Sequence, residues 1–162
     1  MSIYPDPFGS KTYPRLALPG TPSFSNIEVK PGSSTSTTLI AYYTVWAIDT
    51  WSETTLAELT ITLTKRSVVI AIASSFGNAE AGGWIKHRLY IGGAKVFESD
   101  PDEARVKLRV FRAYRVLEPG TYTISYRLFN EDWYNVHNFY IYSDGTDRPG
   151  LRLEVIVVPL EF

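Results

Sequence analysis

The chain reads as an all-β protein, an antiparallel β-sandwich of eight or nine strands that carries an extended Pro-rich N-terminal arm. Three observations predict this. From Thr38 onward, apolar residues recur with period two or in short β-branched runs, the patterns of half-buried and fully buried strands. Gly, Pro and Asp turn signals separate those runs at regular intervals. No window sustains an amphipathic helix, and the best one, 99–106, is a single turn of acidic loop.

Taken in order, residues 1–38 form the arm and 39–162 the sandwich domain. Six of the ten prolines lie between Pro5 and Pro31, which forbids an interior strand or a helix there. Apolar residues are nonetheless threaded through the segment, among them Ile3, Tyr4, Phe8, Tyr13, Leu16, Leu18 and Phe24, and a flexible linker would not carry so many. The arm therefore lies on a surface, either of a neighbouring subunit or of its own domain, with Tyr4, Phe8, Tyr13, Leu16, Leu18 and Phe24 as contact residues.

"TLIAYYTVWAI" (38–48) is apolar on both faces, as one buried strand would be. "ELTITLTK" (58–65) alternates Leu59, Ile61 and Leu63 against threonines. "SVVIAIAS" (67–74) is a central strand, and "GGWIKHRLYIGGAKVFES" (82–99) a hairpin turned at Gly92-Gly93. "RVKLRVFRAYRVL" (105–117) sets Val106, Leu108 and Val110 opposite Arg105, Lys107 and Arg109, with the basic stripe expected on a solvated or intersubunit face. Pro119-Gly120 makes a corner, after which Tyr122 re-enters the core and its hydroxyl ties the corner down. "NFYIYSDG" (138–145) and "LRLEVIVVPLEF" (151–162) complete the set.

Composition narrows function by exclusion. A net charge of −1 offers no field for nucleic acid or an anionic membrane, and acids flank the stripe Arg105, Lys107, Arg109, Arg112, Arg115. The absence of Cys rules out disulfides, thiol catalysis and Cys-based zinc sites. No apolar run is long enough to span a bilayer, and the first residues do not form a signal peptide, so a cytoplasmic location is expected unless the protein is viral. The lack of Gln and Cys, one Met, and ten Arg to six Lys fit a hot habitat and a thermostable protein.

No catalytic residues, metal site or cofactor are expected. His87 faces inward beside Ile85 and Leu89, as a hydrogen-bonded core residue does. His137 stands near Glu131, Asp132 and Trp133 without metal-ligand spacing. The acids Glu53, Glu58, Asp100, Asp102, Glu103, Asp144 and Asp147 read as loop- or surface-borne, and "SDGTD" (143–147) is a hairpin turn rather than a calcium loop. One stretch does suggest binding. Trp133, Tyr134, His137, Tyr140 and Tyr142 crowd residues 131–142, and aromatic clusters at loop ends stack on sugar faces or anchor interfaces. The alternative for part of the set is alternation into the core.

"LTITLTKRSVVIAIASSFGN", "HRLYIGGAKVFES", "RVLEPGTYTISYRLFN" and "LRLEVIVVP" together resemble the jelly-roll head domains of viral and phage tail fibres, similar in architecture to the tumour-necrosis-factor-like jelly roll. Leu117, Gly120, Tyr122, Ile124, Arg152, Leu153 and Val155 occupy the matching places, over roughly 56–160. The resemblance implies a homotrimer serving attachment or virion structure. The chain departs from fibre heads in lacking a stalk, which shifts the expectation to a particle-surface or capsid component whose arm joins subunits. The competing expectation is a module that binds carbohydrate or a cell-surface receptor through residues 131–142.

Overall fold

A computed structural model of the chain describes residues 23–28, 34–39, 43–80, 83–142 and 150–160, with side chains from Val45 onward. These residues form an all-β sandwich without a helix. Eleven strands are present among them: β1 (Ser23–Glu28), β2 (Ser34–Leu39), β3 (Tyr43–Ile48), β4 (Ser52–Leu63), β5 (Ser67–Ala79), β6 (Ile85–Ile91), β7 (Ala94–Glu98), β8 (Lys107–Leu117), β9 (Gly120–Asn130), β10 (His137–Tyr142) and β11 (Leu151–Pro159).

One sheet runs β1-β4-β9-β6-β7. The other is built around β5, which carries β8 along one edge and, on the opposite edge, β11 followed by β10; β2 then flanks β11, and β3 flanks β10. The pairings are antiparallel except β1 with β4. Alternation drives the packing. Every second residue of β5, from Ser67 to Ala79, is buried, as are Ile85, His87, Leu89 and Ile91 of β6. They meet Ile124, Tyr126 and Leu128 of β9 and Leu151, Leu153, Val155 and Val157 of β11 in a single core.

The central position of 67–74 and the Gly92-Gly93 hairpin are as expected, the two glycines standing at φ 59° and 80° as a tight hairpin turn requires. At the Pro119-Gly120 corner, the Tyr122 hydroxyl donates to the Glu118 carbonyl at 2.9 Å. That corner hands the chain from one sheet to the other, since β8 pairs with β5 and β9 with β4 and β6.

Two sequence expectations need correction. Residues 38–48 are not one strand: β2 pairs with β11 and β3 with β10, so the chain changes partners between them. The sandwich domain from residue 43 onward holds nine strands, within the expected eight or nine, and two more, 23–28 and 34–39, fall in the segment read as an arm and lie at sheet edges; residues 1–22 are outside the described residues. The basic stripe is solvated only in part, at Arg105 and Arg112. Arg109 is buried, and Arg115 donates to the carbonyls of Ile91 and Gly92 across the sandwich, while Leu108, Val110, Tyr114 and Val116 of the same strand face solvent. Guanidinium groups can turn inward here because carbonyls and a carboxylate await them.

Candidate functional site

Two polar or aromatic constellations stand out, one buried and one exposed. The buried one crosses the core. His87 Nε2 lies 2.7 Å from Asp102 Oδ2, His87 Nδ1 2.7 Å from the Tyr126 hydroxyl, and that hydroxyl 2.9 Å from Ser75 Oγ. Arg109 Nε also donates to Asp102, and its Nη1 donates to the Gly77 carbonyl at 2.7 Å. Asp102 was expected on a loop or at the surface; it is on the β7–β8 loop, which folds inward and buries it. Burial alone would raise its pKa, but the hydrogen bonds from His87 and Arg109 outweigh that and hold it at about 2.

The ionised carboxylate makes Nε2 of His87 the donor, so in the neutral ring Nδ1 accepts from Tyr126, whose oxygen in turn accepts from Ser75. Burial keeps His87 neutral by lowering its pKa and raises that of Tyr126. Ser75, His87 and Tyr126 are each at most 1% exposed. A cleft of about 360 Å³ opens beside Asp102, but the carboxylate facing it is already bonded to His87, Arg109 and the Glu103 amide. The network joins β5 and β8 of one sheet to β6 and β9 of the other, and its chemistry is that of a satisfied polar strut.

The exposed constellation sits at one end of the sandwich. The β3–β4 turn, the β5–β6 connection and the β9–β10 loop converge there because Ser52 and Ile85 both pair with Asn130. Each contributes a tryptophan: Trp51, Trp84 and Trp133, three of the four in the chain. Trp133 stacks on Trp51 with ring centroids 3.9 Å apart and planes 10° from parallel, and Trp51 meets Phe129 edge-on at 5.1 Å. Trp133 remains 62% exposed and Tyr134 89%. Trp51 has φ 44°, a left-handed conformation that costs a side-chain-bearing residue about 1–2 kcal/mol. Its amide is held by the Asp132 carbonyl at 2.9 Å.

The loop under Trp133 is pre-organised. Asn130 donates to the carbonyls of Ile48 (3.1 Å) and Asn135 (2.8 Å) and accepts from the Asp132 amide. Asp132 accepts from Asn135, from the Tyr134 amide and from His137, and these bonds, led by that from Asn135, hold its carboxyl at about 2. From the tryptophan pair a polar track runs over the outer face of the first sheet. Arg88 lies over the Phe129 ring at 3.8 Å, and Glu53 binds Arg88, Tyr90 and Arg127 at 2.7–2.9 Å.

The sequence candidates divide among these features. Trp133 and Tyr134 are on the exposed shelf. His137 is buried beneath it with Nε2 2.9 Å from Asp132, its ring parallel to Trp84. Tyr140 and Tyr142 are half-buried on the outward side of β10, stacked on each other at 6.5 Å, while Phe139 points into the core. Of the six arm residues, Tyr4, Phe8, Tyr13, Leu16 and Leu18 lie outside the described residues, and Phe24 falls in β1. Trp51, Trp84, Phe129 and Arg88 were not singled out from the sequence, and Glu53, read there as loop- or surface-borne, is half-buried in β4. Their signal is that each tryptophan abuts a strand end, but only the β4-β9-β6 pairing brings those ends together.

Among the described residues no group of His, Cys, Asp and Glu is arranged to hold a metal ion, and no helix is long and apolar enough to cross a membrane. No known family model matches the chain, and no curated protein does. Among solved structures, the pre-peptidase C-terminal domain of a collagenase from Bacillus anthracis is similar at 14% identity and a TM-score of 0.26, over 76% of this chain and 97% of that one.

Proposed function

We propose that the chain is a non-enzymatic binding module that takes carbohydrate, free or on a cell-surface receptor, on the shelf formed by Trp51, Trp133 and Tyr134. The observation that carries this is the Trp133–Trp51 stack. One indole is propped from beneath by another, and its free face is turned to solvent on a hydrogen-bonded loop. Such a face accepts the C–H side of a sugar ring, and a pre-organised loop spares the ordering cost of binding. The adjoining Arg88–Glu53–Arg127 track supplies donors and acceptors for hydroxyl groups. The test is glycan-array screening followed by calorimetry on the full chain and on Trp133→Ala. Binding lost in the variant, with the melting temperature nearly unchanged, supports the reading. No glycan bound by the full chain, or a large loss of stability in the variant, overturns it.

A second reading is a viral particle-surface or capsid component that assembles through its N-terminal arm, as a trimer by the fibre-head resemblance. It is favoured by one observation, the exposed apolar row Leu108, Val110, Tyr114 and Val116 on β8, which pairs with no strand but β5 among the described residues. Light scattering on the full chain tests it. A trimer or larger assembly supports it, and a monomer overturns it.

A further inference from the structure

Among the described residues five strands stand at sheet edges: β1, β2, β3, β7 and β8. Natural sheets blunt their edges by shortening or bulging them, because an open ladder of N–H and C=O groups recruits another strand. Four of these edges are blunted. β1, β2 and β3 have six residues each and β7 has five, and register shifts interrupt the ladders of β1 and β7. β8 is the exception. It has eleven residues without proline or glycine, and it pairs with β5 through eleven consecutive positions without a bulge. Leu108, Val110, Tyr114 and Val116 stand exposed along it, Tyr114 at 71% and Leu108 at 61%. A groove of about 370 Å³ lies against it, among Val68, Ile70, Ala113 and Tyr114.

What completes such an edge is another strand, apolar on its outward side, and β8 itself has that form. In a two-fold contact residue i of one copy meets j of the other, and j meets i. An axis perpendicular to the sheet keeps opposite residues on one face, so it must pass through a residue position. Three such registers pair nine or more residues of Lys107–Leu117, those centred on Phe111, Arg112 and Ala113. The first sets Lys107 opposite Arg115, and the second sets Arg112 opposite Arg112, like-charge pairs that destabilise. The third sets no like charges opposite. It places Val110 against Val116, Arg112 against Tyr114 and Phe111 against Arg115, each twice, and the small Ala113 meets its own copy at the axis.

We propose that β8 pairs antiparallel with β8 of a second copy about Ala113, so that the second sheets of two sandwiches become one. Residues 109–117 of each copy form the ladder. The outward row Val110, Arg112, Tyr114 and Val116 then runs across the seam, with a guanidinium over a tyrosine ring on either side of the axis. The contact uses no residue of the tryptophan shelf, so it neither rests on the carbohydrate reading nor supports it. It also differs from assembly through the arm, because it builds an even-numbered oligomer where the fibre-head resemblance implies a trimer.

The absence of native cysteine allows a test specific to the register. In the full chain, Val110→Cys and Val116→Cys are made separately and oxidised alone and as an equilibrated equimolar mixture. Both positions are exposed, so neither substitution unfolds the sandwich, and thermal melting checks this. The mixture is expected to form disulfide-linked dimer at least about tenfold faster than either variant alone, because only directly opposite residues come within disulfide reach. Light scattering on the unaltered chain is expected to give a dimer or a larger even-numbered assembly. Val110→Lys combined with Val116→Lys sets lysine opposite lysine and should halve that mass. A monomer or a trimer of the unaltered chain overturns the inference, and so does a mixture that links no faster than the single variants. A trimer would at the same time support assembly through the arm, so the two readings fail separately.

Discussion

The hydroxyl of Tyr126 lies 2.7 Å from Nδ1 of His87, with both side chains sealed from solvent. It joins β9 to β6 within one sheet and, through Ser75, reaches β5 of the other. Tyr126→Phe keeps the ring and removes the link, leaving His87 Nδ1 and Ser75 Oγ without their partner. The expected cost is about 1–3 kcal/mol in urea unfolding, more than an exposed hydroxyl would show.

Acid should weaken the fold through the same network. Asp102 sits at about 2 against an ordinary 3.8, so its contribution is complete above about pH 4 and is lost as pH falls toward 2. His87 is held neutral below its ordinary 6.5, so below that pH the unfolded chain binds the proton first. Both shifts act in one direction: stability is flat above about pH 6.5 and declines below it. Urea midpoints measured from pH 8 to pH 3 check this, and an unchanged midpoint at pH 3 contradicts it. In Asp102→Asn the buried guanidinium of Arg109 loses its counter-charge, and a loss of about 3–5 kcal/mol is expected at pH 7.

Gly77 is required by close approach of two backbones. A Cβ there would stand 1.8 Å from the Tyr140 carbonyl oxygen on β10. Gly77→Ala must push β10 away from β5, at a cost of several kcal/mol by overpacking and broken ladder bonds. Amide exchange should accelerate in β10 and β3 before the rest of the sandwich.

Asn130 is the pin of the Trp133 loop, buried and bonded to Ile48, Asn135 and Asp132. Asn130→Ala is expected to cost about 1–3 kcal/mol. On the carbohydrate-binding proposal it also weakens glycan affinity, because the indole face is no longer held. The Trp133→Ala variant differs in losing affinity alone, and calorimetry beside thermal melting separates the two.

Much of the fold was legible where alternation was strong. The run 67–74 is a continuous apolar stretch between two serines, and it lies in the strand that pairs with three others, β8, β11 and β10. Residues 38–48 misled because their apolar character is real on both sides of the break: Trp46 and Ile48 are buried even though β3 is an edge strand. In β8 the alternation was visible but its phase was not, since nothing local reveals that Arg109 will meet Asp102 and the Gly77 carbonyl. Trp133 and Tyr134 were legible as a loop cluster. Trp51 was not, because its partner lies 82 residues away and meets it only once β4 lies beside β9.

Of the nine strand pairings among the described residues, only β6 with β7 joins neighbours in the chain. The rest unite distant segments, as when Leu39 meets Leu151 and Ser52 meets Asn130. Each such meeting closes a long loop before any contact rewards it, so assembly of this sandwich from the unfolded chain is slow. The Gly92-Gly93 hairpin is the one pairing among them whose contacts are local in the chain. Until β5 finds β8 and β11, a strongly apolar strand with two open edges is exposed to other chains, and aggregation during refolding is the hazard that this topology carries.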